Sequence, residues 1–281
     1  MYRSPRRTRD RAGRIWPGAM VPGLVLALAL AGCAGPAADG ARSGELSPPQ
    51  LYRKARAELR QRNYGRAIEL LQELQNRFGD QPEAEAGRLS LAYAYYKAGE
   101  HRQAIDTAEA FIRRHPQNAN VAYAYYVRGL AAYARSKTDV ERALAEPPSP
   151  DALASTREAF RYLSELVERF PRSRYFSDAM TRIVKLRNRM ARYQIHAAEY
   201  DLEAGRTERA VERARYVQKH FARTPSLPAA LAVLARGQLA LGRRREAEEV
   251  LAALEANYPD DPVTTATREY FSNHRRVRPA R

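Results

Sequence analysis

From residue 50 onward, apolar residues recur at helical spacing, and the pattern itself repeats. An alanine inside an amphipathic segment recurs at Ala67, Ala104, Ala159, Ala210 and Ala247. One turn further on sit Leu71, Ala108, Leu163, Ala214 and Leu251, and then Leu74, Phe111, Leu166, Val217 and Leu254. Phe78, His115, Phe170, Phe221 and Tyr258 close the set. Such offsets lie on one face of a helix and predict that this face packs against a neighbour. Ahead of three anchors stand Gly99, Gly205 and Gly242, where a tight helix–helix turn needs the backbone freedom of glycine. Beyond three of them stand Pro116, Pro171 and Pro259, which cannot continue a helix. Apolar stretches before each anchor predict a partner helix: Leu51–Arg60, Ala86–Lys97, Val121–Ala134, Met190–Glu203 and Ala229–Leu239.

This alternation resembles the tetratricopeptide repeat (TPR), a helix–turn–helix unit. The expected fold is all-α, a solenoid of about five such repeats with two insertions. Anchor spacings of 37, 55, 51 and 37 residues locate the insertions. One, 136–151, contains Pro147-Pro148-Ser149-Pro150 and is expected to be a surface loop. The other, 172–189, is too periodic for a loop and is expected to be an extended or extra helix. The solenoid is expected over 50–262, with N-terminal repeats over about 50–135 and C-terminal repeats over about 152–262. A basic tail is expected over 263–281. Stacked repeats bury their faces against one another and leave a concave surface suited to gripping a peptide or a folded domain.

The first 32 residues carry six Arg and one Asp, followed by an apolar run from Val21 to Ala31. A basic region followed by a short apolar region is a secretory signal, too short to span a bilayer. The run ends Leu30-Ala31-Gly32-Cys33, which resembles a bacterial lipobox, and Cys33 is the sole cysteine. Residues 1–32 are thus expected to be a lipoprotein signal peptide, and Cys33 to carry S-diacylglycerol and an N-palmitoyl chain. More than one acyl chain anchors a protein stably without a membrane-spanning helix. Ala34, rather than Asp, after Cys33 implies transfer to the outer membrane. Residues 33–49 are expected to be a lipidated start and flexible tether.

A single cysteine excludes an internal disulfide, a CxxC redox pair and a thiolate zinc site. There is no Gly-rich phosphate loop, no HExxH and no Gly-x-Ser-x-Gly. The five histidines are scattered, so no enzyme activity, cofactor or metal is expected. The net charge of +16 could serve nucleic acid. The arginines are spread over helix surfaces, however, and an exported lipoprotein meets no cytosolic nucleic acid. A solvated basic face meeting an acidic partner is the expectation. Two tyrosine clusters, Tyr93/Tyr95/Tyr96 and Tyr123/Tyr125/Tyr126, fall at matching places in successive first helices. Tyr93, Tyr96, Tyr123 and Tyr126 are expected to line a peptide groove, since tyrosine offers contact area at low entropy cost. Residues two apart cannot both face inward, so some of the six belong to the core.

Longer strings carry a closer resemblance. Leu91-Ala92-Tyr93-Ala94-Tyr95-Tyr96-Lys97-Ala98-Gly99, Phe111-Ile112-Arg113-Arg114-His115-Pro116 and Tyr125-Tyr126-Val127-Arg128-Gly129-Leu130 resemble the second and third repeats of the BamD family. These are TPR lipoproteins of the β-barrel assembly (BAM) complex. The stretch from Ala159-Phe160 to Tyr175, and Leu186-Arg187-Asn188-Arg189-Met190-Ala191, are similar to that family's central region. The resemblance runs from about Leu51 to Pro259. One departure is Glu146-Pro147-Pro148-Ser149-Pro150-Asp151, where the family often has an Asp-Arg-Asp-Pro-like motif. The resemblance implies an outer membrane scaffold on the periplasmic face. Its C-terminal repeats would dock on a BamA-like β-barrel subunit, and its N-terminal repeats would receive unfolded outer membrane protein precursors. Other BAM lipoproteins would be further partners. It implies Arg213 as a contact to an acidic residue of that subunit, with Arg187 and Arg189 as further partner-binding residues. The alternative is another TPR lipoprotein, a pilus-secretin pilotin or a peptidoglycan-hydrolase adaptor.

Overall fold

The computed structural model describes residues 45–149 and 151–274. Among these residues the chain forms eleven helices and no strand: α1 (Pro48–Arg60), α2 (Tyr64–Phe78), α3 (Pro82–Ala98), α4 (His101–Arg114), α5 (Val121–Ala145), α6 (Ala154–Arg169), α7 (Phe176–Glu203), α8 (Thr207–His220), α9 (Leu227–Ala240), α10 (Arg244–Asn257) and α11 (Pro262–His274). Each helix packs on the next in the chain, and the first helices of successive pairs (α1, α3, α5, α7, α9) pack on one another. This is the tetratricopeptide arrangement, with five antiparallel pairs and α11 closing the end. All five anchor alanines are fully buried, as are Leu71, Leu74, Leu163, Leu166, Val217 and Leu254.

The turns explain why the anchors recur. After α1, α3, α7 and α9 the chain takes one left-handed residue: Arg62, Gly99, Gly205 and Gly242, with φ of 63°, 84°, 73° and 75°. The next N–H reaches back to close the helix end. Asn63 N donates to Glu58 O, Glu100 N to Tyr95 O, Arg206 N to Asp201 O, and Arg243 N to Gln238 O, at 2.8–2.9 Å. This bond satisfies a carbonyl otherwise orphaned at the helix end. The same turn residue starts the following helix, because its carbonyl accepts from the anchor N–H: Ala67, Ala104, Ala210 and Ala247. The return turns repeat as well. Asn118, Ser173, Thr224 and Asp261 each donate their N–H to the carbonyl of the residue capping the previous helix. Each then accepts from the start of the next helix: Val121, Phe176, Leu227 and Thr264.

Two expectations change and one narrows. Residues 136–145 continue α5 rather than forming a loop, leaving only 146–153 as an elbow. Val140 is the reason: it is buried with Leu153 and Tyr193, so packing favours continuing the helix there. The elbow is held by Tyr193, whose hydroxyl accepts from Ser149 N and donates to Ser149 O at 2.8 and 2.9 Å. Secondly, of the two forms expected for 172–189, the extended helix is the one found. From Phe176 it is one uninterrupted helix with 190–203, and that helix is 28 residues long. Thirdly, the solenoid does not stop at 262. Pro262–His274 is helix, with Thr264, Thr267 and Phe271 buried against α9 and α10. The expected signal peptide, Cys33, the expected tether up to residue 44 and the arginine-rich stretch from 275 lie outside the described residues.

Candidate functional site

The tyrosines sort by helical geometry. Tyr95 and Tyr125 are buried, and Tyr95 accepts a hydrogen bond from Gln72 Nε2 at 2.7 Å. Tyr93, Tyr96, Tyr123 and Tyr126 are partly exposed on α3 and α5. Tyr93 and Tyr96 have centroids 6.4 Å apart. Tyr175, just before α7, stacks on Tyr126 at 4.5 Å and tilts against Tyr123 at 5.7 Å. The strip is thus built from three successive first helices. Tyr126 donates to Asp178 Oδ2 at 2.9 Å, and Arg182 holds the same carboxylate at 2.6 Å. Burial first, and then the bond to Asp178, push the Tyr126 phenol up to about 12. Burial also raises Tyr123. Burial would raise Asp178, but the bonds from Arg182 and Tyr126 outweigh it and hold the carboxyl below its ordinary value.

The three arginines meet three different neighbours. Arg187 is exposed and donates to the His220 carbonyl at 3.0 Å, so it caps α8. Arg189 donates to Tyr133 Oη at 2.9 Å and Ser136 Oγ at 3.2 Å, and lies over the Tyr133 ring. It therefore joins α7 to α5 and extends the tyrosine strip. Arg213 donates to Asp201 Oδ2 at 2.9 Å and to Gln194 Oε1 at 3.1 Å. Its own side chain is 30% exposed, while that of Asp201 is 4% exposed. Arg206 holds the other oxygen of Asp201 at 2.7 Å, and Arg209 stands 3.8 Å away. Burial would raise the Asp201 carboxyl, but these bonds hold it below the ordinary carboxylate range.

One buried charge was named only within a matching string. Arg128 on α5 is 6% exposed and sits 4.1 Å from the Tyr162 ring centroid and 4.8 Å from that of Tyr125. It reaches Glu165 at 2.5 Å and Glu109 at 3.7 Å, tying α4, α5 and α6 together. Its signal was an arginine in an otherwise apolar run. Among the described residues no cluster of three or more His, Cys, Asp or Glu is placed to hold a metal ion. No helix among them is long and apolar enough to cross a membrane.

The profile of YfiO, an outer membrane lipoprotein family, matches residues 45–262. A relative from Neisseria meningitidis serogroup A, "Outer membrane protein assembly factor BamD", is 33% identical over 85% of this chain and 91% of its own length. One of the same name from Xylella fastidiosa (strain Temecula1) is 29% identical over 75% of this chain and 72% of its own. Among solved structures, a thermophilic TPR protein of Thermus thermophilus is 16% identical, with a TM-score of 0.36, over 82% of this chain and all of that one. The profile covers every repeat and the relatives span most of their length, so this chain belongs to the YfiO/BamD family of outer membrane lipoproteins.

Proposed function

We propose that this protein is an assembly factor of the outer membrane. In this reading it is a scaffold subunit of a BAM complex that helps insert β-barrel proteins. The observation that carries it is the family match along the whole solenoid, together with the assembly-factor names of its relatives. It is held to the periplasmic face of the outer membrane by lipid on Cys33, and it acts by binding rather than by catalysis.

Two surfaces support the division of labour. The tyrosine strip of Tyr93, Tyr96, Tyr123 and Tyr126 offers flat rings to an unfolded precursor, with cations of Arg182 and Arg189 beside it. Arg213 serves the β-barrel subunit. Asp201 and Gln194 fix its guanidinium while part of it stays open, so little freedom is lost when a partner carboxylate arrives. Arg187 and Arg189, nearer the start of α7, are further partner contacts, and other BAM lipoproteins complete the assembly.

The test is to tag the C-terminus of the full chain and extract outer membranes in mild detergent. Co-eluting proteins are then identified by mass spectrometry. A stoichiometric β-barrel subunit with repeated periplasmic domains is expected, and Cys33→Ala is expected to be missing from that membrane fraction. A secretin or a murein hydrolase in its place would overturn the assembly role. Wild-type levels of Cys33→Ala in the outer membrane would overturn the anchor.

A further inference from the structure

A cationic trough lies away from the tyrosine strip, where α4, α5 and α6 meet. One part is an open 470 Å³ cleft lined by Arg102, Arg135, Arg157 and Arg161, with Ala154 and Ser155 at the start of α6. The one carboxylate in that lining, Glu158, is already taken by Arg135 and also accepts from Tyr162. Among the described residues no carboxylate stands within ion-pair distance of Arg102, Arg157 or Arg161. Elsewhere on the surface, arginines such as Arg66, Arg244 and Arg245 pair with a glutamate one turn away. Four guanidiniums sharing one carboxylate is a concentration of charge that the fold does not need.

Two residues of this lining also hold buried polar atoms without partners. Ser155 is 9% exposed, and its Oγ has no hydrogen-bond partner. The Nη1 of Arg135 is also buried and unpartnered. Orphaned buried polar atoms of this kind are uncommon, and each calls for an explanation. α6 begins here without a side-chain cap, so its first N–H groups add positive potential. His101 feels the same field: burial first, and then the Arg135 charge, hold its imidazole below the ordinary value.

We infer that this trough binds an acidic peptide segment of a partner protein, with its carboxylates on Arg102, Arg157 and Arg135. The cleft runs into a second hollow of 470 Å³ that shares Arg102, Arg135, Ala154 and Ser155. That hollow adds Asp139, Glu146 and Asp151 against Arg142, beside Ala143, Pro147 and Ala152, so the carboxylates of an extended chain sit on the arginine part and its non-acidic flank continues here. Guanidinium forks match carboxylates bidentately. The protein's own ends do not fit, since residues 275–281 hold four Arg and no acid, and residues 1–44 hold only Asp10 and Asp39. The proposal does not depend on the assembly reading.

The probe is a fluorescein-labelled peptide of alternating Glu and Ser, titrated by anisotropy into the detergent-solubilised full chain. Arg102→Ala combined with Arg157→Ala is expected to weaken binding by about tenfold or more. Arg245→Ala, whose side chain is 90% exposed on α10, is expected to leave it unchanged. Both altered arginines are exposed, so thermal melts of the double variant should match wild type. Equal binding by wild type and the double variant would overturn the site, as would equal binding of a Gln-for-Glu peptide. If phosphatidylglycerol vesicles show the Arg102/Arg157 dependence and the peptide does not, the site is for anionic headgroups and the peptide assignment fails.

Discussion

Arg62 shows how one side chain can depart from a repeat without breaking it. Three pairs turn on glycine with φ of 84°, 73° and 75°, and the first pair makes the same turn with an arginine at 63°. An L-residue crowds its own carbonyl there, at a cost of about 1–2 kcal/mol. Arg62→Gly is therefore expected to stabilise the protein by roughly 0.5–1 kcal/mol, after allowing for the freer unfolded chain. Urea unfolding measures this, and a loss of stability would contradict it. Arg213 carries a different lesson. It lies against Asp201, so Arg213→Glu would set a second carboxylate beside a nearly buried one. Charge reversal there disturbs the fold along with any partner contact. The sequence marked Arg213, Arg187 and Arg189 as arginines in a matching context. Nothing in their spacing told that each already serves a neighbouring element.

Helix contacts in this solenoid depend on small residues where backbones cross. A Cβ at Gly237 in α9 would stand 2.6 Å from Val211 Cγ2 in α8. Valine is stiff in a helix and has no free end to swing aside. Gly237→Ala should therefore cost about 1–3 kcal/mol of packing. That exceeds the gain of about 1 kcal/mol from helix propensity. A calorimetric melt at or above the wild-type temperature would refute this. A Cβ at Gly129 would likewise crowd both Cδ2 and Cγ of Leu163, which is fully buried. Elements were legible wherever the heptad-like pattern met a turn signal. α11 was missed because its polar residues hid a sparse apolar face, although Asp261 and Pro262 announce a helix start. Val263 N donates to Asp261 Oδ1 at 2.9 Å, and Pro262 supplies a φ suited to the first turn.

Two carboxylates tie the two halves of the solenoid through α7. Asp178 binds Tyr126 of α5 at one end, and Asp201 binds Arg213 of α8 at the other. Both are held below the ordinary carboxyl value. Their contribution is fully present above the unfolded value of about 3.9, and it is lost as pH falls through the folded one. Thermal stability is thus expected to fall steeply below about pH 4. Asp201→Asn should melt below wild type at neutral pH, and the gap should narrow as acid protonates the native carboxyl. A gap that stays constant down to about pH 2 would show that Asp201 adds nothing through its charge.

The repeat, its handed turns and its end signals are local, so they could be read along the chain. An amphipathic face, a left-handed glycine and a helix-ending proline each act within a few residues. The lipobox-like signal is local too, because it is the string Leu30-Ala31-Gly32-Cys33. Contacts made across the stack are not. Val140 extends α5 only because Leu153 and Tyr193 arrive to cover it. Asp201 gathers three arginines because the turn after α7 folds α8 back onto it. The trough exists because the elbow brings the start of α6 beside Arg102 and Arg135. Such pairings bring together residues tens of positions apart, and no period along the chain encodes them.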